Sequence, residues 1–260
     1  MNSNEKPLVA VQLYSLRHLS EKFEELAAAA AQAGYEGVEL MHLADRPGGE
    51  AKAVLEEHGL QSVSAHVPYE ALSEDFTATV AFHQAAGNDC LVLPGPALGL
   101  RESESGESWR AFGQTLNELG RRCREEGVRL GYHNHAFEMA VYDGTRAIDW
   151  LLGSADPENV FWEPDLAWIS DGGVDPLEMV EQYAGRCPRI HAKDLAPAGE
   201  NEDQMGLADV GYGTLDWEAL LPACRAAGAE CYIVEHDLPK DPVASVRRSR
   251  EFLESRVQRA

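Results

Sequence analysis

Positive charge is scarce in this sequence. Only five lysines occur, and lysine plus arginine number 22 against 44 aspartates and glutamates, a formal charge of −22. The sequence pI is about 4.7. So acidic a surface repels a phosphate backbone, so no nucleic-acid partner is expected. Cysteine is also thin: Cys90, Cys123, Cys187, Cys224 and Cys231 are scattered, odd in number and without a CxxC pair, as reduced thiols in a cytoplasmic protein are. No apolar run reaches the length of a membrane span, and the opening residues MNSNEKP lack an apolar signal core. A cytoplasmic protein with no membrane partner is therefore expected. Linkers, fixed-period repeats and low-complexity tracts are missing too, so residues 1–260 read as one domain.

What the chain does contain is alternation. Short apolar segments rich in Val and Ile fall at Leu8–Ser15, Gly37–Met41, Ser62–Val67, Cys90–Pro94, Val128–Asn134, Val160–Pro164, Arg189–Ala192 and Cys231–Glu235. They read as buried parallel strands. Helical patterns lie between them, at 23–33, 50–58, 76–86, 108–126, 145–152, 175–183, 215–227 and 242–257, several stopped by a glycine. Crossover helices require parallel strands, and a count of eight favours a single (β/α)8 TIM barrel over an open sheet.

Four of the later strands turn polar at their ends: GYHNHAFE, VFWEPD, RIHAKD and CYIVEH. In a (β/α)8 barrel such ends form the active face. They offer His133, His135, Glu138, Asp165, His191 and Glu235, a mixture of imidazole and carboxylate that suits a divalent ion such as Mn, Co, Zn or Mg. Glu163 competes with Asp165, and Asp165 is favoured because Pro164 should end or bulge the strand. Either His133 or Glu138 could complete the set, and spacing does not decide between them. Period-2 alternation puts Lys193 on the side of His191, where it would polarise a substrate oxygen or simply pair with Asp194. The Gly-x-Gly turn of VGYGTLDW reads as a tight turn rather than a phosphate cradle. No basic residue lies between Asn201 and Ala223, which points to a substrate without a phosphate.

These segments, together with QLYSLR, GYEGVEL, SAHV and IVEHD, resemble in order the sugar phosphate isomerase/epimerase family, whose members share the xylose-isomerase-like barrel. The resemblance covers nearly the whole chain. It implies one divalent ion held by Asp165, His191 and Glu235, with Glu138 standing in for a family glutamate whose place His133 occupies. It implies catalytic roles for Glu235, Glu138, His133 and His66, and substrate contacts from His135, Lys193, Trp168 and Gln12. The expected activity is isomerisation or epimerisation of a sugar-like ketone by proton transfer through an enediolate. The alternative is a lyase or dehydratase that eliminates water or an alcohol from a keto-sugar, keto-glycoside or inosose. The expected partner is a small carbohydrate, and a homo-oligomer is compatible with these features.

Overall fold

Alternation along each strand builds the molecule from the inside outward. In this computed structural model, residues 6–41 and 46–257 are described, so the expectation for MNSNEKP falls mostly outside them. Eight parallel strands, β1 (Leu8–Gln12), β2 (Gly37–Leu40), β3 (Gln61–His66), β4 (Cys90–Leu93), β5 (Arg129–His133), β6 (Val160–Glu163), β7 (Arg189–Ala192) and β8 (Cys231–Val234), form one sheet in the order β6-β5-β4-β3-β2-β1-β8-β7. One set of alternate residues faces inward. Ala10, Val63, Cys231 and Ile233 form one small apolar cluster, and Cys90, Val92 and Phe161 another. The opposite set, including Val9, Val38, Leu91, Tyr132, Trp162 and Tyr232, joins the surrounding helices in the main core. Gly131 is paired with Phe161 across β5 and β6. A Cβ there would come within 2.4 Å of the Phe161 ring, so glycine leaves the space the ring fills.

The two ends of the sheet meet at β6 and β7 through a single bridge, Asp165 to His191. Pro164 has no N–H to give to the ladder, and β6 stops at Glu163, as its sequence predicts. The Pro164 carbonyl still accepts from His191 N at 2.9 Å. The seam of the barrel therefore lies at the polar strand ends.

The helices follow the expected pattern to within about two residues, from Phe23–Gln32 to Pro242–Val257. Two short helices, Tyr69–Glu74 and Leu166–Asp171, and two small hairpins, Val141–Tyr142 with Thr145–Arg146 and Asp194–Leu195 with Leu207–Ala208, were not legible in the pattern. The Gly-x-Gly turn folds around an internal anion. Gly211 N and Gly213 N lie 2.9 and 3.3 Å from Asp194 Oδ2, and Trp217 Nε1 donates to the same oxygen at 2.8 Å. Gly211 has φ 83°, a conformation open to glycine, and a Cβ on Gly213 would meet Asp194 and Leu195 at 2.3 Å. Among the described residues, no helix is long and apolar enough to cross a membrane.

Candidate metal centre and active-site cavity

A polar layer sits on the apolar floor of the barrel. Gln12, Glu39, His133, Glu163, Asp165, His191, Lys193 and Glu235 are all buried there, and His66 is nearly so. Two overlapping groups have ligand atoms within 4.8 Å of one another: His133, Asp165, His191 and Glu235, and below them His66, His133, Glu163 and His191.

Each upper residue is positioned by its neighbours. Asp165 caps the helix Leu166–Asp171 with Oδ1, which accepts from Trp168 N at 2.9 Å. Its Oδ2 lies 3.1 Å from the Lys193 ammonium and 3.9 Å from His133 Nε2. Asn134, on the outer side of the strand end, accepts from Trp162 Nε1 and Asp165 N, each at 3.1 Å, and so fixes the end of β6. His191 presents Nδ1 to Glu235 Oε2 at 3.2 Å and Nε2 to Glu39 Oε2 at 2.6 Å. Glu39 also accepts from Gln12 Nε2 at 2.8 Å and Ser64 Oγ at 2.6 Å. A buried carboxylate on the far nitrogen of a ligating histidine fixes its tautomer and raises its basicity. Glu39 was missed in the sequence, although an acid between Val38 and Leu40 in a buried strand is a signal of this kind.

Lys193 does not pair with Asp194. Its ammonium lies 2.7 Å from Glu235, 3.1 Å from Asp165 and 2.9 Å from Asp237, and 4.9 Å from the Trp168 ring centroid. Glu138 is the other correction. Its chain turns back through Ala136–Met139, and its carboxylate accepts from Tyr132 OH at 2.6 Å and from His135 N at 2.7 Å. It is absent from both ligand groups, and His133 belongs to both. His236 also turns away: its Nδ1 accepts from Leu238 N.

The charges explain why a cation suits the layer. Glu39, Glu163, Asp165, Glu235 and Asp237 face one lysine and three histidines within it. Burial raises Asp165 to about 6 even though Lys193 pulls it down. Burial works against the charge of Glu235 too, but Lys193 and His191 outweigh it and hold its carboxyl well below the usual range. Asp165 Oδ2 is buried and makes no hydrogen bond of good geometry, the Lys193 ammonium at 3.1 Å being its cationic neighbour. A divalent ion among these mixed N and O donors would supply the further positive charge that the excess of buried carboxylates calls for.

Above this layer lies a cavity of about 340 Å³, lined among others by Gln12, Tyr14, His66, His133, His135, Glu235 and Asp237. That is near the small end for ligand pockets. Among the described residues, no lysine or arginine lines it. His135 stacks between Phe137 and Trp168, with ring centroids 5.6 and 6.2 Å away.

The pKa of Glu138 yields a prediction. Burial pushes its carboxyl up to about 8, against the pull of Tyr132 and the His135 backbone. A raised carboxyl favours the folded state below its unfolded pKa, and that contribution is lost as pH rises toward 8. Stability should therefore fall between about pH 4.5 and 8, with Glu138 supplying on the order of 1–3 kcal/mol of the change. Thermal melts of Glu138→Gln across that range should show a flatter profile. An unchanged slope would remove Glu138 as the cause.

A family model described as xylose isomerase-like TIM barrel matches residues 27–256. An inosose dehydratase of Clostridium botulinum (strain Alaska E43 / Type E3) is 26% identical over 193 residues, covering 67% of this chain and 64% of that protein. The alignment thus spans less than two thirds of that relative. Among solved structures, a sugar phosphate isomerase/epimerase from Parabacteroides distasonis has a TM-score of 0.80 at 21% identity, covering 98% of this chain and 96% of that one. The IolI protein with a zinc atom has a TM-score of 0.73 at 15% identity, covering 95% of this chain and 97% of that one. At these identities the solved structures show a shared fold.

Proposed function

The chain belongs to the xylose isomerase-like TIM barrel family of enzymes, and from that premise we infer that it is a metal-dependent dehydratase of an uncharged cyclic or sugar-like ketone. The observation that carries this reading is a pair of imidazoles lining one cavity whose pKa values are pushed in opposite directions. Burial opposes the charge of His66, but Glu39 and then Glu163 outweigh it and raise its pKa. His135 is held down to about 3, by burial first and by the Lys193 ammonium second. Groups whose surroundings push their pKa values apart are the natural acid and base.

His135, held neutral by these surroundings and lining the cavity, takes the proton from the carbon beside the carbonyl. The electron pair moves toward the carbonyl oxygen, then returns to form a double bond between the α- and β-carbons as the bond to the β-hydroxyl breaks. His66 gives its proton to the departing oxygen, which leaves as water. His133, Asp165, His191 and Glu235 would hold a divalent ion, which would supply Lewis-acid stabilisation of negative charge. Gln12 lines the same cavity and would contact the substrate, and the absence of a lining cation among the described residues favours a ligand without phosphate.

The inosose dehydratase relative supports elimination as the first reading. Isomerisation or epimerisation, the activity expected first from the sequence, is the second reading. It shares the proton-removal step and is favoured by Glu235, a second ionised base on the same cavity. Zinc-, manganese- or cobalt-loaded protein should be incubated with ketoses and keto-cyclitols and the products weighed and examined by NMR. Loss of one water from a keto-cyclitol is expected. Unchanged mass with altered stereochemistry would replace this reading with the second.

A further inference from the structure

Glu163 is a buried carboxylate of the polar layer that lies outside the ion site of His133, Asp165, His191 and Glu235. It is fully buried, and it is the register partner of His133 on the adjacent strand. Oε1 faces three imidazoles: His66 Nε2 at 3.0 Å, His191 Nε2 at 3.1 Å and His133 Nδ1 at 3.4 Å. The first two also face Glu39, at 3.1 and 2.6 Å. His133 Nδ1 is buried and makes no hydrogen bond of good geometry, and Glu163 Oε2 likewise has no partner. The far nitrogen of His133, Nε2, looks up toward Asp165 Oδ2.

We propose that Glu163 is a positioning residue that acts through His133, fixing the Nδ1–H tautomer so that the Nε2 lone pair is offered to a divalent ion beside Asp165, His191 and Glu235. The physical reason is the choice between two tautomers. With the proton on Nδ1, a donor faces the Glu163 carboxylate and a lone pair faces the ion. With the proton on Nε2, a lone pair faces the carboxylate and an N–H occupies the ion's side. The first is favoured at both ends of the ring. Glu39 stands in the same relation to His191, so the two imidazoles of the site each have a buried carboxylate behind them. In both cases a carboxylate behind the ring makes the ligating nitrogen more basic. Glu163 thus lends negative charge, through a neutral ring, to a strand end that itself carries no carboxylate.

This inference rests on the ion site proposed above, and the test separates the two. Zinc affinity is measured by competition with a chromophoric chelator for the intact protein, Glu163→Gln, His133→Gln and the double variant. Glu163→Gln should weaken zinc binding by about 10- to 100-fold. In the His133→Gln background the same change should cost no more than about twofold, because the two act as a unit. Equal losses in both backgrounds, or no loss in either, overturn the proposal while leaving the ion site standing. If the intact protein binds no zinc, both fail. Nitrogen-15 NMR of the zinc-loaded intact protein decides the matter even if Glu163→Gln does not fold. The His133 ring should carry its proton on Nδ1 and show Nε2 shifted by zinc. A proton on Nε2, or an ion on Nδ1, overturns the assignment.

Discussion

Replacing Glu235 by glutamine is expected to lower kcat by about 10³-fold while leaving the fold intact. Glu235 lies at the end of β8 with Oε2 between the Lys193 ammonium at 2.7 Å and His191 Nδ1 at 3.2 Å. Glutamine keeps the shape and removes the charge. The ion site loses one of its two carboxylate ligands, and the cavity loses its ionised base. Lys193 keeps Asp165 and Asp237 as partners, so the ammonium is not stranded and the strand end stays in place. Circular dichroism and the melting temperature report the fold, and steady-state assays report kcat. Unchanged turnover in a folded variant would take Glu235 out of the mechanism.

Removing the ion should destabilise the protein as well as silence it. A ligand that binds only the folded state adds about 4 kcal/mol at a thousandfold excess over Kd. For a chain of this size each kcal/mol moves Tm by roughly 2–4 °C, so stripping the ion should lower Tm by about 8–16 °C. Lys193 already neutralises part of the site, which places the expected drop toward the lower figure. Dialysis against a chelator, elemental analysis and a melt with and without added Zn, Mn or Co make the measurement. A Tm that ignores both chelator and added metal would contradict an ion at this centre.

Strand ends were legible in the sequence because apolar runs turn polar there. Short apolar runs mark buried parallel strands, and their polar ends, which offer Asp165, His191 and Glu235, belong to the active face of such a barrel. Pro164 ended its strand for the reason its missing N–H predicts. The chain beyond a strand end is a different matter. Glu138 follows the strand by five residues, and nothing in HNHAFE shows that a tight helical turn swings it back to Tyr132. Neighbours in sequence also misled: Lys193 and Asp194 point to opposite sides, one into the polar layer and one into the Gly211–Gly213 turn. Glu39 and Glu163 were visible as acids inside apolar strands, but their partners come from distant strands, and spacing along the chain does not show which imidazole each would meet.

The central claim is that this barrel removes a proton from the carbon beside a carbonyl. The direct measurement is turnover in deuterated water by the metal-loaded protein, followed by NMR of product and recovered substrate. In the elimination reading the α-carbon of a keto-cyclitol loses its only hydrogen, so the account predicts deuterium there in recovered substrate, and epimerisation would place it there in the product as well. The account also predicts a primary isotope effect when a substrate deuterated there is used, which covers internal return of the proton. A substrate that is converted with neither solvent label nor isotope effect would show that the reaction does not pass through that carbanion, and would contradict the account.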